Sequence, residues 1–383
     1  MKNLSHIDTV CVHAGASPDE LTGAIMPPIF QTSTYVQPSP GNPKIYDYSR
    51  GGNPTRTALE EALAALEKTN YSVSFSSGLA AVGAIAQLLN PNDHVIVCDD
   101  VYGGTGRLFR KLFAKYEIIF EFIDMTDFKK VENSIRSNTK LIWIETPTNP
   151  LLKLIDIEKI ASLAKKHNAL TVVDNTFSSP IFQNPIELGA DIILHSTTKY
   201  IGGHSDMVGG CLMLNDKSLA DQLKFIQFAG GSVNSPFEAF LLHRSIKTLS
   251  LRMKKHNENA IQIAKEMEKI PLFSEVIFPG LESHPQHSLA KKQMRGYSGM
   301  ISARINGDFE KLKLFLSKLK YFSLAESLGG VESLVNHPET MTHASVPADH
   351  RKILGITANL LRFSVGIEDS QDLIEDIKNA AKI

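Results

Sequence analysis

Between residues 71 and 214, short apolar runs alternate with helix-like stretches. This rhythm narrows the folds open to the chain more than any other feature. The candidate strands are Tyr71–Phe75, His94–Cys98, Ile118–Phe122, Leu141–Ile144, Leu170–Val173, Ile192–Leu194 and Cys211–Leu214. Stretches such as SGLAAVGAIAQLL and DIEKIASLAKKH separate them. Strands that are apolar throughout belong in a sheet covered on both faces, and strand–helix alternation makes that sheet largely parallel. The expected class is therefore α/β. Runs this short leave strand order and the direction of the last strand open.

A chain of 383 residues exceeds the size at which one core usually stops growing, so more than one unit is expected. Residues 1–55 are irregular and rich in Pro, Gly, Ser and Thr. They read as an arm that packs on something else. A helix is expected after Pro54, in TRTALEEALAALEK. Residues 56–245 form the large α/β unit and 246–383 a smaller α+β unit. The pattern is helical from Phe237 to about Ile270. After IFPGLESHPQHS come a strand in GMISARI, a helix in DFEKLKLFLSKL, a strand in LLRFSV and a closing helix in DSQDLIEDIKNAAKI.

Composition removes several function classes. A net charge of −1 offers nothing to nucleic acid or an anionic membrane surface. No apolar run approaches the roughly 20 residues that span a bilayer, and MKNLSHIDTV lacks the apolar centre of a secretory signal. Cys11, Cys98 and Cys211 make no CxxC and no zinc spacing, so no metal is expected. Cys98 and Cys211 sit in apolar runs and read as buried thiols, which fits a cytoplasmic protein.

The chemistry begins at DIILHSTTKYIGGHSD. A buried strand leads into Ser196, Thr197, Thr198 and Lys199, and ligands of open α/β sheets bind at carboxyl ends of strands. A desolvated lysine there suits Schiff-base chemistry, with its pKa falling from about 10.4. Ser196 and Thr198 are donors for a phosphate. On this run alone, a lysine in a solvated loop is equally compatible. LTVVDNTFSSP places Asp174 at the end of the preceding strand, either as a turn cap or as the acid that a pyridine cofactor such as pyridoxal phosphate needs at its ring nitrogen. Paired with Lys199, the second role is favoured. FSSGLAAVGAIAQ offers Gly78 and a helix start for an anion, although a plain helix cap would look the same. Tyr102, in DDVYGGTGRLFRK, is placed to stack on a ring. IWIETPTNP brings a strand-ending Glu145 and then Asn149, and YDYSRGGNPT brings Tyr48 and Arg50 from the arm. Arg362 is a cation inside an apolar strand and needs either an internal acid or a substrate carboxylate.

Together YSRGGNPTR, SSGLAA, DDVYGGT, ETPTNP, VVDNTF, SxTKYxxGHSD, AESLGGVESL, MTHAS and LLRFSVGIED resemble the Cys/Met-metabolism family of pyridoxal-phosphate enzymes. That family includes cystathionine γ-lyase, γ-synthase and β-lyase. The resemblance implies the PLP-dependent transferase fold type I, like that of aspartate aminotransferase, and a homotetramer of two tight dimers. It implies that Lys199 carries the cofactor and later shuttles protons, and that Asp174 holds the ring nitrogen with Thr176 nearby. It implies that Tyr102 stacks on the ring and helps activate the amine. Gly78, Leu79, Ser196 and Thr198 would hold the phosphate, joined by Tyr48 and Arg50 of a neighbouring subunit. Arg362, Asn149 and Ser327 would bind the substrate carboxylate, with Arg107 and Glu326 also facing substrate. Met207 departs from the smaller aliphatic residue expected there.

The first half of the reaction is common to these enzymes, so the core site does not choose between them. Glu326, in LAESLGG, and the segment GLESHPQHSLAKKQ resemble the γ-acting members. The order implied is γ-lyase, then γ-synthase, then β-lyase, acting on cystathionine or a related thioether or homoserine ester. A nucleotide-binding protein is disfavoured, because Gly104-Thr105-Gly106 is followed by Phe109 where GxGxxG needs glycine, and no GxxxxGK[ST] occurs. A non-catalytic relative would be expected to lose Lys199 or Asp174, and both are present.

Overall fold

The computed structural model describes residues 6–344 and 346–383. Residues 1–5 of the arm and Ser345, which ends the MTHAS run, lie outside the described residues.

Seven strands form the larger sheet: β1 (Tyr71–Phe75), β2 (His94–Cys98), β3 (Ile119–Ile123), β4 (Thr139–Glu145), β5 (Leu170–Asp174), β6 (Ile192–His195) and β7 (Gly210–Leu214). Their order is β1-β7-β6-β5-β4-β2-β3. Only β7 runs against its neighbours, pairing antiparallel with both β1 and β6. The runs HVIVC, IILH and GCLML are buried along their whole length, as strands covered on both faces must be. Edge strand β3 is partly open and lies one residue later than its sequence suggests.

The smaller sheet contains β8 (Phe273–Ile277), β9 (Met300–Ile305), β10 (Ser323–Leu324), β11 (Leu334–Asn336) and β12 (Leu360–Ser364), in the order β10-β11-β12-β9-β8. Strands β8, β10 and β11 were not expected, being short and lacking a clear period. The amphipathic helices Phe309–Lys318 and Ser370–Ala380 cover this sheet with Leu312, Phe315, Leu373 and Ile377.

Two expectations need correction. The long helical stretch is two helices, Pro236–Ile246 and Leu249–Met267, because Lys247-Thr248 breaks it at a non-helical Thr248. The buried Arg252 then spans the junction, donating to the carbonyls of Ser245, Tyr200 and Ile201. This ties the helix pair to the loop that follows Lys199. The arm is also not wholly irregular: Ile7–His13 is helical, and Val10 and Cys11 join the core that contains Leu59 and Leu63. Further along it, Leu21, Ile25, Val36 and Ile45 are each at least 80% exposed. Cys11, Cys98 and Cys211 are all buried and free.

Candidate active site

The carboxyl ends of the parallel strands converge on a cavity of about 370 Å³. Strand β4 ends at Glu145 and β5 at Asp174, which are register partners. Strand β6 ends at His195 and hands the chain to Ser196, Thr198 and Lys199. The cavity brings together Lys199, Tyr102, Gly78, Leu79, Asp174, Thr176, Ser196 and Thr198 with Asn149, Glu326, Ser327 and Arg362. Tyr48, Arg50 and Arg107 lie outside it. Arg50 donates to the Phe228 carbonyl at 2.8 Å and stacks over the Phe228 ring. Arg107 lines a neighbouring pocket.

Lys199 Nζ donates to Ser327 Oγ at 2.9 Å. Burial, then the nearby Arg362 charge, pulls its pKa down to about 8, against an opposing pull from Glu326. An amine that is partly neutral near pH 7 can attack a carbonyl carbon or accept a proton. The loop beyond it is fixed by Arg252 and by Gly203, whose φ is +68° and where any Cβ would collide with the Arg252 guanidinium.

Asp174 Oδ1 accepts from the Thr176 amide at 3.1 Å and the Thr176 hydroxyl at 2.5 Å. The Ser196 amide in turn donates to Thr176 Oγ1 at 2.9 Å, which links the acid to the lysine-bearing strand. Burial raises the Asp174 pKa. Glu145 is raised further, by burial and then by repulsion from Asp174. Its Oε2 accepts from the Tyr102 amide at 2.9 Å and so holds the Tyr102 backbone at the cavity wall. Burial raises the Tyr102 hydroxyl pKa too.

At the other end, Ser77 caps the helix Gly78–Ala86 by accepting from the Ala80 amide at 3.0 Å. A Cβ on Gly78 would lie 3.0 Å from Ser196 Cβ, so glycine lets the helix start approach the Ser196 strand end without displacing it. Helix amides and hydroxyls around this cradle suit a phosphate. Thr198 Oγ1 already bonds the Gly209 backbone, accepting from its amide at 2.9 Å. The donor set, the buried acid and the depressed lysine fit pyridoxal phosphate: Gly78 and Ser196 would hold its phosphate, Asp174 its ring nitrogen and Lys199 its aldehyde.

The opposite wall comes from the smaller sheet. Arg362 is 2% exposed, and burial lowers its pKa to about 10. Its guanidinium donates to Asn149 Oδ1 at 2.8 Å and the Ser327 carbonyl at 2.9 Å. Asn336, its register partner on β11, accepts from Nε at 3.2 Å with its amide oxygen turned inward. Among the described residues no carboxylate pairs with Arg362, so the internal-acid alternative is set aside. A buried cation held only by neutral oxygens suits a carboxylate ligand.

Some wall residues carried no role in the sequence reading. Glu145 carries only a strand-end signal in the sequence, and Thr105 and Thr342 lie within DDVYGGT and MTHAS without a signal of their own. Asn336 gave no signal, since β11 has only three residues.

Residues 8–382 match the family model for the Cys/Met metabolism PLP-dependent enzymes. The chain is 51% identical over 378 residues to the cystathionine beta-lyase of Coxiella burnetii, covering 98% of each. It is 52% identical over 375 residues to the cystathionine gamma-lyase of Dictyostelium discoideum, covering 98% of this chain and 97% of that one. A crystal structure of cystathionine gamma synthase from Xanthomonas oryzae pv. oryzae in complex with cystathionine superposes with a TM-score of 0.97 at 44% identity, over 99% of this chain and 98% of that one. With that fold and that site, the chain belongs to the Cys/Met-metabolism family of enzymes, and its cofactor is pyridoxal phosphate.

Proposed function

We propose that this protein cleaves cystathionine by γ-elimination: cystathionine and water give cysteine, 2-oxobutyrate and ammonia. The observation that carries this reading is Glu326, an exposed carboxylate that shares the cavity with Lys199, Ser327 and Arg362. Cystathionine has an ammonium at its far end, which a carboxylate at the cavity rim attracts. The γ-acting character of LAESLGG supports the same choice.

In this reading Arg362 and Asn149 take the substrate α-carboxylate, with Ser327 beside them. That grip presents the Cα proton to Lys199 Nζ. Lys199 removes it, passes it on, and then takes a proton from Cβ so that the Cγ–S bond breaks. The Lys199 ammonium gives that proton to the departing sulfur, which leaves as the thiol of cysteine. When bound, pyridoxal phosphate supplies the electron sink for charge developing at Cα. Asp174 keeps the ring nitrogen protonated, and Tyr102 covers the ring face.

We extend the proposal to the assembly. The arm 1–55 reaches a neighbouring copy in a homotetramer, where Tyr48 and Arg50 join that copy's phosphate site. The apolar side chains exposed along the arm support this. Residues 56–245 form the cofactor domain and 246–383 the smaller domain. No helix among the described residues is long and apolar enough to cross a membrane, and we place the enzyme in the cytoplasm.

Product analysis with cystathionine tests the reaction. Cysteine with 2-oxobutyrate is expected. Homocysteine with pyruvate would make the enzyme a β-lyase, and turnover only of an activated homoserine ester with cysteine would make it a γ-synthase.

A further inference from the structure

A second pocket, of about 320 Å³, lies beside the active-site entrance. One wall is the helix Gly103–Arg107 with the π-helical turn Leu108–Phe113, and the other is formed by Ala344, Val346, Pro347, Ala348 and Arg351. Four cations line it: Arg107, Arg110, Lys111 and Arg351. Among the described residues none of them forms an ion pair. Clustered like charges repel, so a pocket of this kind is destabilising unless an anion enters it.

Two features make it a built site. Arg110 is clamped in place: its guanidinium lies 3.6 Å from the Phe122 ring centroid, and Nη1 sits where a Cβ on Gly106 would fall, 2.6 Å away. Glycine at 106 makes room for it. Arg351 bonds the carbonyls of Ala344 and Val346 through Nη1, while its buried Nε has no partner. The π-helical turn follows the Arg107 turn directly and delivers Arg110 and Lys111 to the pocket that Arg107 lines, and π-turns often mark functional positions. Asp349, on the same helix as Arg351, does not line the pocket, and Asp99 is occupied by Lys153 at 3.2 Å.

We propose that this pocket binds a small oxyanion carrying two or more negative charges, bridging Arg110 and Lys111 to Arg351. The site is distinct from the Arg362 carboxylate site and does not depend on which reaction the enzyme performs. Planar guanidinium forks match the oxygens of either a phosphate group or a dicarboxylate. The bridge joins the element that follows Tyr102 to the one that follows Thr342, both of which line the main cavity.

The test is calorimetric titration of the holoenzyme with inorganic phosphate and, separately, with malonate, each against potassium chloride of equal ionic strength. Saturable binding of one anion per chain is expected, weakened about tenfold or more in the double variant Arg110→Gln, Lys111→Gln. The charge reversal Lys111→Glu, on an exposed side chain, provides a milder second variant with the same expected direction. The visible band of the bound cofactor reports that each variant is folded. Binding of phosphate alone, malonate alone or both supports the site and identifies the source of the oxygens. The proposal is overturned if neither anion saturates, if both variants bind as the parent does, or if substrate analogues at Arg362 displace the anion competitively.

Discussion

The two walls of the main cavity are built differently. The wall proposed to hold the cofactor consists of strand ends: Glu145 and Asp174 close paired strands and the Ser196–Lys199 turn follows another, so their spacing is set by backbone register. The substrate wall is assembled from separate pieces. Glu326 and Ser327 come from a loop, Arg362 from β12 and Asn149 from a turn after β4. Ser327 has a φ of +99°, a conformation that costs about 1–3 kcal/mol in a residue other than glycine. It is nonetheless the point where the walls meet, since its hydroxyl accepts from Lys199 and its carbonyl accepts from Arg362. In the proposed reading the chemistry common to the family falls on the regular wall, and selectivity is expected on the assembled one.

The largest test of this contrast removes the centre of the regular wall. Lys199→Ala should cut cystathionine turnover by about 10⁴-fold, the upper range for a positioned proton-transfer group. Borohydride should fix the cofactor to the parent protein and not to the variant, as read by absorbance and mass. Next comes the anchor of the assembled wall. Arg362→Leu should lower kcat/KM by roughly 10²–10³-fold, in line with the 2–5 kcal/mol measured when a buried, hydrogen-bonded charge pair loses one partner. Cofactor binding should stay intact. An Arg362→Leu protein that lost its cofactor instead would mean that the walls are not separable.

The same contrast governs what the sequence reveals. Strands such as His94–Cys98 are legible because burial on both faces leaves an unbroken apolar run. Lys199 and Asp174 stand just beyond two such runs. The direction of β7 was not legible, because antiparallel pairing on both sides leaves no mark in GCLML. The break at Thr248 was hidden because no Gly or Pro announces it. Asn336 touches Arg362 only through the pairing of β11 with β12, which separates them by 26 positions of sequence and lies beyond local pattern. The helix Ile7–His13 is seven residues long, too short for a period to show, and forms because Val10 and Cys11 find Leu59 and Leu63.

A smaller effect sharpens the assignment of selectivity. Glu326→Ala should weaken kcat/KM for cystathionine by about tenfold, the scale of one rim charge contact of roughly 1.4 kcal/mol. A thioether amino acid without a distal ammonium should lose little. Equal losses for the two substrates would remove Glu326 from the selectivity wall.

The smallest effect concerns stability without cofactor. In the folded chain burial and Arg362 hold Lys199 near a pKa of about 8, against the ordinary 10.5 of an unfolded chain. The folded value is the lower one, so between pH 8 and 10.5 the unfolded chain binds the extra proton, and stability rises with pH across that window. Below pH 8 both states are protonated and the full cost of the buried charge is present. Lys199→Met removes that cost while keeping most of the side chain's volume. Cofactor-free Lys199→Met should therefore melt higher than the cofactor-free parent at pH 7, by roughly 2–4 °C, and the gap should narrow as pH approaches 10.5. A gap that held constant or grew with pH would mean that Lys199 is not held as a costly cation, and that its reactivity arises only once the cofactor is bound.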